Sequence, residues 1–180
     1  MSSARQQDAG ARAVRNRGAF GIRRVLLVCA VARAPAAAHA GAASDTFEVT
    51  ATVLATCEVS AQDLAFGNYD PIASAHLDAA TTLSVTCTSG TPYQIGLSLG
   101  DGSGASTATR YMTQGSDTLG YALYQDSART TVWGETLNGN TRAGVGSGAA
   151  AVIDVYGRVP MHQSAPAGPY SDTIVVTVTW

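Results

Sequence analysis

The stretch Thr46-Phe47-Glu48-Val49-Thr50-Ala51-Thr52-Val53 alternates polar and apolar residues without a break. Phe47, Val49, Ala51 and Val53 fall on one face of an extended chain; Thr46, Glu48, Thr50 and Thr52 fall on the other. Successive side chains of a β-strand point to opposite sides, so this pattern predicts a half-buried strand. The same period of two returns around residues 82–88, 93–99, 119–125, 130–133 and 150–159. It returns again over 170–180, where Ile174, Val176, Val178 and Trp180 share a face. Residues 100–104 and 138–148, rich in Gly, Asn and Ser, read as flexible connectors, and 160–169, bounded by proline, as a long return connection. Helical periodicity is nearly absent. Short strands in this number over roughly 140 residues predict an all-β, immunoglobulin-like sandwich in one domain.

Composition narrows the function. Charged residues make up 13% of the 180-residue chain and hydrophobic ones 46%, too apolar for a disordered chain. There is no Lys, and the eleven basic residues are all Arg. Seven of them lie at or before Arg33 beside a single acid, Asp8, so the remainder sets four arginines against twelve carboxylates. An acidic body with no basic stripe excludes nucleic acid as a partner.

The basic leader has the order of a secretory signal. Arginines precede the apolar run 25–32, and the small-residue site Ala38-His39-Ala40 follows it. Eight apolar residues are too few to span a bilayer, which takes about 20. The expected division is a signal peptide over 1–40, an N-terminal segment over 41–54 and the sandwich over 55–180. Cys29 leaves with the leader. Cys57 and Cys87 remain, and an even pair in an exported chain is most simply read as one disulfide, with two buried free thiols as the other reading. Closing a loop of about 30 residues contributes on the order of 3–4 kcal/mol in the chain-entropy account.

The last predicted strand is strongly apolar on one face and runs to Trp180, so no later segment is expected to cover its outer edge. An uncovered edge beside unfilled core is an aggregation hazard. A well-patterned strand meanwhile stands spare at residues 46–53. One strand too few at one end and one to spare at the other is the economy of strand exchange, in which each molecule completes its neighbour's sheet.

Catalytic chemistry finds little footing. Beyond the leader the histidines are His76 and His162, neither with a Cys or carboxylate at ligand spacing. There is no G-x-S-x-G elbow, and without Lys neither Schiff-base nor Ser–Lys chemistry is available. Asp101, Asp117, Asp126 and Asp154 are scattered turn residues before they are a glycosidase pair. The run 144–148, although Gly-rich, precedes a predicted strand and so forms no phosphate cradle. Tyr121, Tyr124, Trp133 and Tyr156 are candidates for a sugar platform. Opposite parity puts at least one of Tyr121 and Tyr124 in the core, and Trp133 beside Gly134 is expected to plug the sandwich. No catalytic residue, metal site, cofactor or small-molecule substrate is assigned.

From about residue 46 to Trp180 the chain resembles the spore coat protein U domain family, shared with subunits of archaic (Csu-type) chaperone–usher pili. The resemblance rests on motifs in a shared order: Thr56-Cys57-Glu58-Val59, Phe66-Gly67-Asn68-Tyr69, Leu83-Ser84-Val85-Thr86-Cys87 and Pro92-Tyr93-Gln94-Ile95-Gly96-Leu97. Leu119-Gly120-Tyr121-Ala122-Leu123-Tyr124, Arg129-Thr130-Thr131-Val132-Trp133-Gly134, Tyr156-Gly157-Arg158-Val159-Pro160 and Gly168-Pro169-Tyr170-Ser171-Asp172-Thr173-Ile174 follow. It implies an incomplete immunoglobulin-like sandwich lacking its seventh, C-terminal strand, and a Cys57–Cys87 disulfide. It implies that Phe47, Val49, Ala51 and Val53 form a donor strand, while Ile174, Val176, Val178 and Trp180 wall the acceptor groove and meet the chaperone. The implied partners are copies of itself or sister subunits, a periplasmic PapD-like chaperone and an outer-membrane usher. The implied destination is a fibre on the surface of a Gram-negative cell, supporting adhesion or biofilm. A carbohydrate- or surface-binding tip module and a spore coat component are the alternatives.

Overall fold

The computed structural model describes residues 40–180, so the expected signal peptide lies outside the described residues apart from Ala40. The chain divides into two units, Met1–Glu48 and Val49–Trp180, and all the sheet structure described belongs to the second.

Eight strands and no helix form among the described residues: β1 (Cys57–Ala61), β2 (Leu77–Cys87), β3 (Pro92–Leu97), β4 (Arg110–Gln114), β5 (Asp117–Tyr124), β6 (Arg142–Val145), β7 (Ala150–Val159) and β8 (Val176–Thr179). They make a five-stranded sheet ordered β1-β2-β7-β5-β4 and a three-stranded sheet ordered β6-β3-β8. Every pairing within them is antiparallel. Alternation decides what goes inside. Leu83, Val85 and Cys87 of β2 are buried, as are Ile153, Val155 and Val159 of β7, while Val152 and Asp154 face out. Ile95 and Leu97 from the smaller sheet join them in one core, so the two sheets are layers of a sandwich.

Two buried groups tie the layers. Trp133 is fully enclosed, and its indole N–H donates to the Ile95 carbonyl at 2.9 Å while its backbone N–H donates to Leu123 at 2.8 Å. Arg110, at 0% exposure, donates to the carbonyls of Ser98 (2.8 Å), Leu97 (3.2 Å) and Trp133 (2.6 Å). An arginine survives burial only when its donors are satisfied, and here backbone oxygens at the end of β3 and at Trp133 do that. Cys57 and Cys87 are register partners at the start of β1 and the end of β2, and they are disulfide-bonded.

The structure departs from the sequence reading in several places. Residues 46–53 form no strand, because among the described residues no strand pairs with them. Residues 130–133 make a single bridge, Tyr124 with Val132, instead of a strand; Asp126 accepts from the backbone of Thr130 and Thr131 and holds that segment as a loop. The connector 138–148 contains β6, whose small residues fit against Tyr93: a Cβ on Gly144 would overlap its ring. β1 and β4 were not foreseen as strands. β4 and β5 form a hairpin through Gly115 and Ser116, with Gly115 at a φ of 61°, the backbone that tight hairpins require. The last strand covers Val176–Thr179 instead of the whole of 170–180.

Candidate functional site

β8 pairs with β3 along one edge, and among the described residues no strand pairs with the other; β1 pairs only with β2. These two unpaired edges neighbour each other across the open side of the sandwich. Antiparallel register partners point to the same face. Val59 on β1 is therefore directed inward with its partner Val85, yet Val85 is 1% exposed and Val59 38%. On the other rim Val176 and Val178 share the inward face with their partners Leu97 and Ile95, at 1% and 0% exposure, but are themselves only half-buried. The inward face of each rim lacks the cover that a central strand of a sandwich has.

The gap between them is a cleft of about 310 Å³ with Leu83, Leu97, Leu123 and Val155 at its floor and Ala61, Ile174 and Val176 at its sides. A second hollow of about 660 Å³ shares Leu64, Phe66, Met112 and Tyr170 with the first and is lined further by Tyr69, Leu77 and Ala165. The loop carrying Leu64 and Phe66 can lie this close because residue 157 is glycine: a Cβ there would stand 2.7 Å from both side chains. Phe66 in turn meets Tyr121 edge-on, with ring centroids 5.9 Å apart.

Two polar side chains of the cleft engage each other. The Tyr121 hydroxyl donates to Asp172 at 2.6 Å; burial first, and this bond second, push its pKa far up. Asp172 also accepts from the backbone N–H of Asp101 (2.7 Å) and Thr173 (2.8 Å), which anchors the approach to β8. His76 accepts the Met161 N–H through Nδ1 at 3.1 Å, and His162 sits exposed with a φ of 61°. Among the described residues no three His, Cys, Asp or Glu side chains converge on a point that could hold a metal ion. Tyr121 and Trp133 are buried, so the four aromatic residues do not form one exposed platform.

Phe47, Val49 and Val53 are 88%, 80% and 82% exposed, and Ala51 is exposed as well. Of the expected groove wall, Ile174, Val176 and Val178 pack against the core edge, whereas Trp180 is 55% exposed and donates its indole N–H to the Ala55 carbonyl at 3.3 Å. Sequence reasoning missed Val59, Leu64, Phe66, Met112 and Tyr170. The alternation Leu64-Ala65-Phe66 was the signal available for two of them.

Residues 43–177 match the Spore Coat Protein U domain. The chain belongs to that family. A relative, "Protein U" of Myxococcus xanthus, is 35% identical over 158 residues, which cover 79% of this chain and 88% of that protein. Among solved structures, a chain of the CsuC-CsuE chaperone-tip adhesion subunit pre-assembly complex, from the archaic chaperone-usher Csu pili of Acinetobacter baumannii, matches with a TM-score of 0.54 at 22% identity. That match covers 72% of this chain and 40% of the solved one, so this Spore Coat Protein U domain chain spans about two-fifths of the length of its solved neighbour. The likeness extends to the fold: an all-β sandwich of two sheets.

Proposed function

We propose that this protein is a structural subunit of a surface fibre of the chaperone–usher kind, polymerised by donor-strand exchange. Residues 46–53 of one copy fill the β1–β8 cleft of the next. The observation that carries this reading is the unequal burial of Val59 and Val85 on one register pair, which leaves an inward-facing position waiting for cover. The exposed Phe47, Val49 and Val53 are the complementary surplus. Burying each is worth about 1.5–3 kcal/mol, and main-chain pairing with β8 adds to it. Before a neighbour arrives, a periplasmic chaperone occupies the cleft. An outer-membrane usher then exchanges that cover for the donor segment, and the fibre is delivered to the cell surface, where it serves attachment. No step of this assembly calls for a cofactor or for catalysis by the subunit.

Deletion of residues 44–53 tests it in cells that carry the cognate chaperone and usher. The expected product is a subunit that co-purifies with the chaperone and extends no fibre; normal fibres from the deletion contradict the donor assignment. A coat reading is favoured by the family's description, Spore Coat Protein U domain. It uses the same cleft and donor, and immunogold labelling separates it from the pilus by placing the protein on a layer and not on filaments.

A further inference from the structure

Beyond Ile174 the apolar lining of the cleft does not stop. It continues through Leu64, Phe66, Met112 and Tyr170 into the 660 Å³ hollow, which is roofed by the segment around Ala165 and Pro166. Strand exchange by the odd-numbered positions 47–53 leaves this hollow unfilled. Of the exposed large apolar side chains that it leaves unexplained, Leu54 is the one that adjoins the donor run. Leu54 is 75% exposed and follows the donor run out of phase with it.

We propose that Leu54 of the incoming copy anchors in this end hollow, a second contact between successive subunits beyond the donor strand itself. The inference rests on the strand-exchange reading above, and the direction of insertion follows from the sheet. β6, β3 and β8 are paired antiparallel throughout, and a fourth strand that continues such a sheet runs antiparallel to β8. The two apolar runs have equal length and period. Antiparallel insertion sets Phe47 against Trp180, Val49 against Val178, Ala51 against Val176 and Val53 against Ile174. The next residue advances the chain about 3.3 Å past Ile174, toward the mouth of the hollow. There β8 has ended, so no ladder holds the backbone of Leu54; its carbonyl accepts from Thr88 Oγ1 of its own copy at 3.3 Å, which leaves the side chain free to turn into the apolar space. Parallel insertion would instead deliver Phe47 to this end and Leu54 to Trp180.

A benzophenone amino acid placed in the full-length chain at position 47, 53 or 54 in turn, followed by irradiation of assembled fibres and peptide mapping, distinguishes these outcomes. The expected adducts from position 54 join one copy to its neighbour at Met112 or within 64–71 or 165–170. Adducts from position 53 near Ile174, with none from 54 in the hollow, overturn the Leu54 anchor and leave strand exchange standing. Adducts from position 47 in the hollow overturn it by reversing the direction. Absence of inter-copy adducts from all three positions removes strand exchange as well. In parallel, Leu54→Ser fibres are expected to dissociate about tenfold faster or more than wild type, the loss of one buried leucine. An unchanged rate contradicts the anchor.

Discussion

The indole N–H of Trp180 donates to the carbonyl oxygen of Ala55 across 3.3 Å, joining the residue after β8 to the segment that leads into β1. The same segment is held from the β2 side, where the Thr88 N–H donates to the Thr56 carbonyl at 3.0 Å and the Thr56 N–H donates to Thr88 Oγ1 at 3.1 Å. The Trp180–Ala55 bond bridges the two rims at the Trp180 end and has to open for Phe47 of an incoming segment to reach Trp180. Because this bond is solvent-exposed, its net contribution is at most about 0.5–1.5 kcal/mol. Trp180→Phe should lower the unfolding free energy of the isolated subunit, read from denaturant titration, within that range while fibre assembly persists. Complete loss of folded subunit would show that the indole does more than bridge the rims.

Substitutions at Val59 and Val85 should part company, although the two are register partners. Val85→Asp buries an unpaired charge in the core and is expected to abolish soluble subunit. Val59→Asp meets solvent in the unfilled protein, so the subunit should fold with a near-normal circular dichroism spectrum but fail to bind a peptide of residues 44–54. Equal collapse of both variants would mean that Val59 is already covered.

Arg110→Met keeps much of the side chain's length and removes every donor from the carbonyls of Leu97, Ser98 and Trp133. Each buried carbonyl left without a partner costs about 1–3 kcal/mol, so a loss of at least about 3 kcal/mol is expected in urea unfolding. Arg110→Lys should fall in between, because an ammonium cannot reproduce the planar fork.

Acid should weaken the fold in a defined direction. Arg158 grips Asp78 with two bonds, at 2.7 and 2.8 Å, and Arg129 lies 3.4 Å away. The Arg158 bond first, with the nearby Arg129 and Arg158 charges, holds the Asp78 carboxyl below its ordinary 3.8 against its partial burial. A pKa that falls on folding stabilises above the unfolded value and loses that contribution as pH drops through the folded one. Asp126 is lowered in the same sense by the backbone N–H groups of Thr131 and Thr130. Thermal midpoints should therefore fall below about pH 4, and Asp78→Asn should flatten the curve without removing the share due to Asp126. A wild-type curve with no slope there contradicts the pairing.

Reduction of the Cys57–Cys87 bond should act chiefly through β1, an edge strand that among the described residues pairs with β2 and with no other strand. Its expected cost is about 2–5 kcal/mol, read as the shift in unfolding free energy between oxidised and reduced subunit.

Strands with period-two patterning and β-branched residues were legible in sequence: 150–159 coincides with β7 and 82–88 overlaps β2, while 119–125 overlaps β5, which has neither a β-branched residue there nor alternating burial. What stayed hidden depended on partners distant in sequence. β1 does alternate, with Cys57, Val59 and Ala61 apolar about Glu58 and Ser60, but over five residues only; its place at the sheet edge comes from Cys57 and Val59 registering on Cys87 and Val85. β6 looked like a loop because Gly144, which Tyr93 requires, carries no pattern of its own. Of the groove-wall residues named from sequence, Ile174 and Val176 line the cleft. Its deeper end depends on Phe66, Met112 and Tyr170, which only the folded chain brings together.

The central claim is tested most directly by a subunit that begins at residue 55, studied by hydrogen exchange with and without a synthetic peptide of residues 44–54. The account predicts that the amides of β1 and β8 exchange rapidly in the subunit alone. With the peptide they become protected, and the melting temperature rises. If those amides are already protected without the peptide, and the peptide changes neither exchange nor melting, the cleft is not an acceptor and the polymer account is wrong.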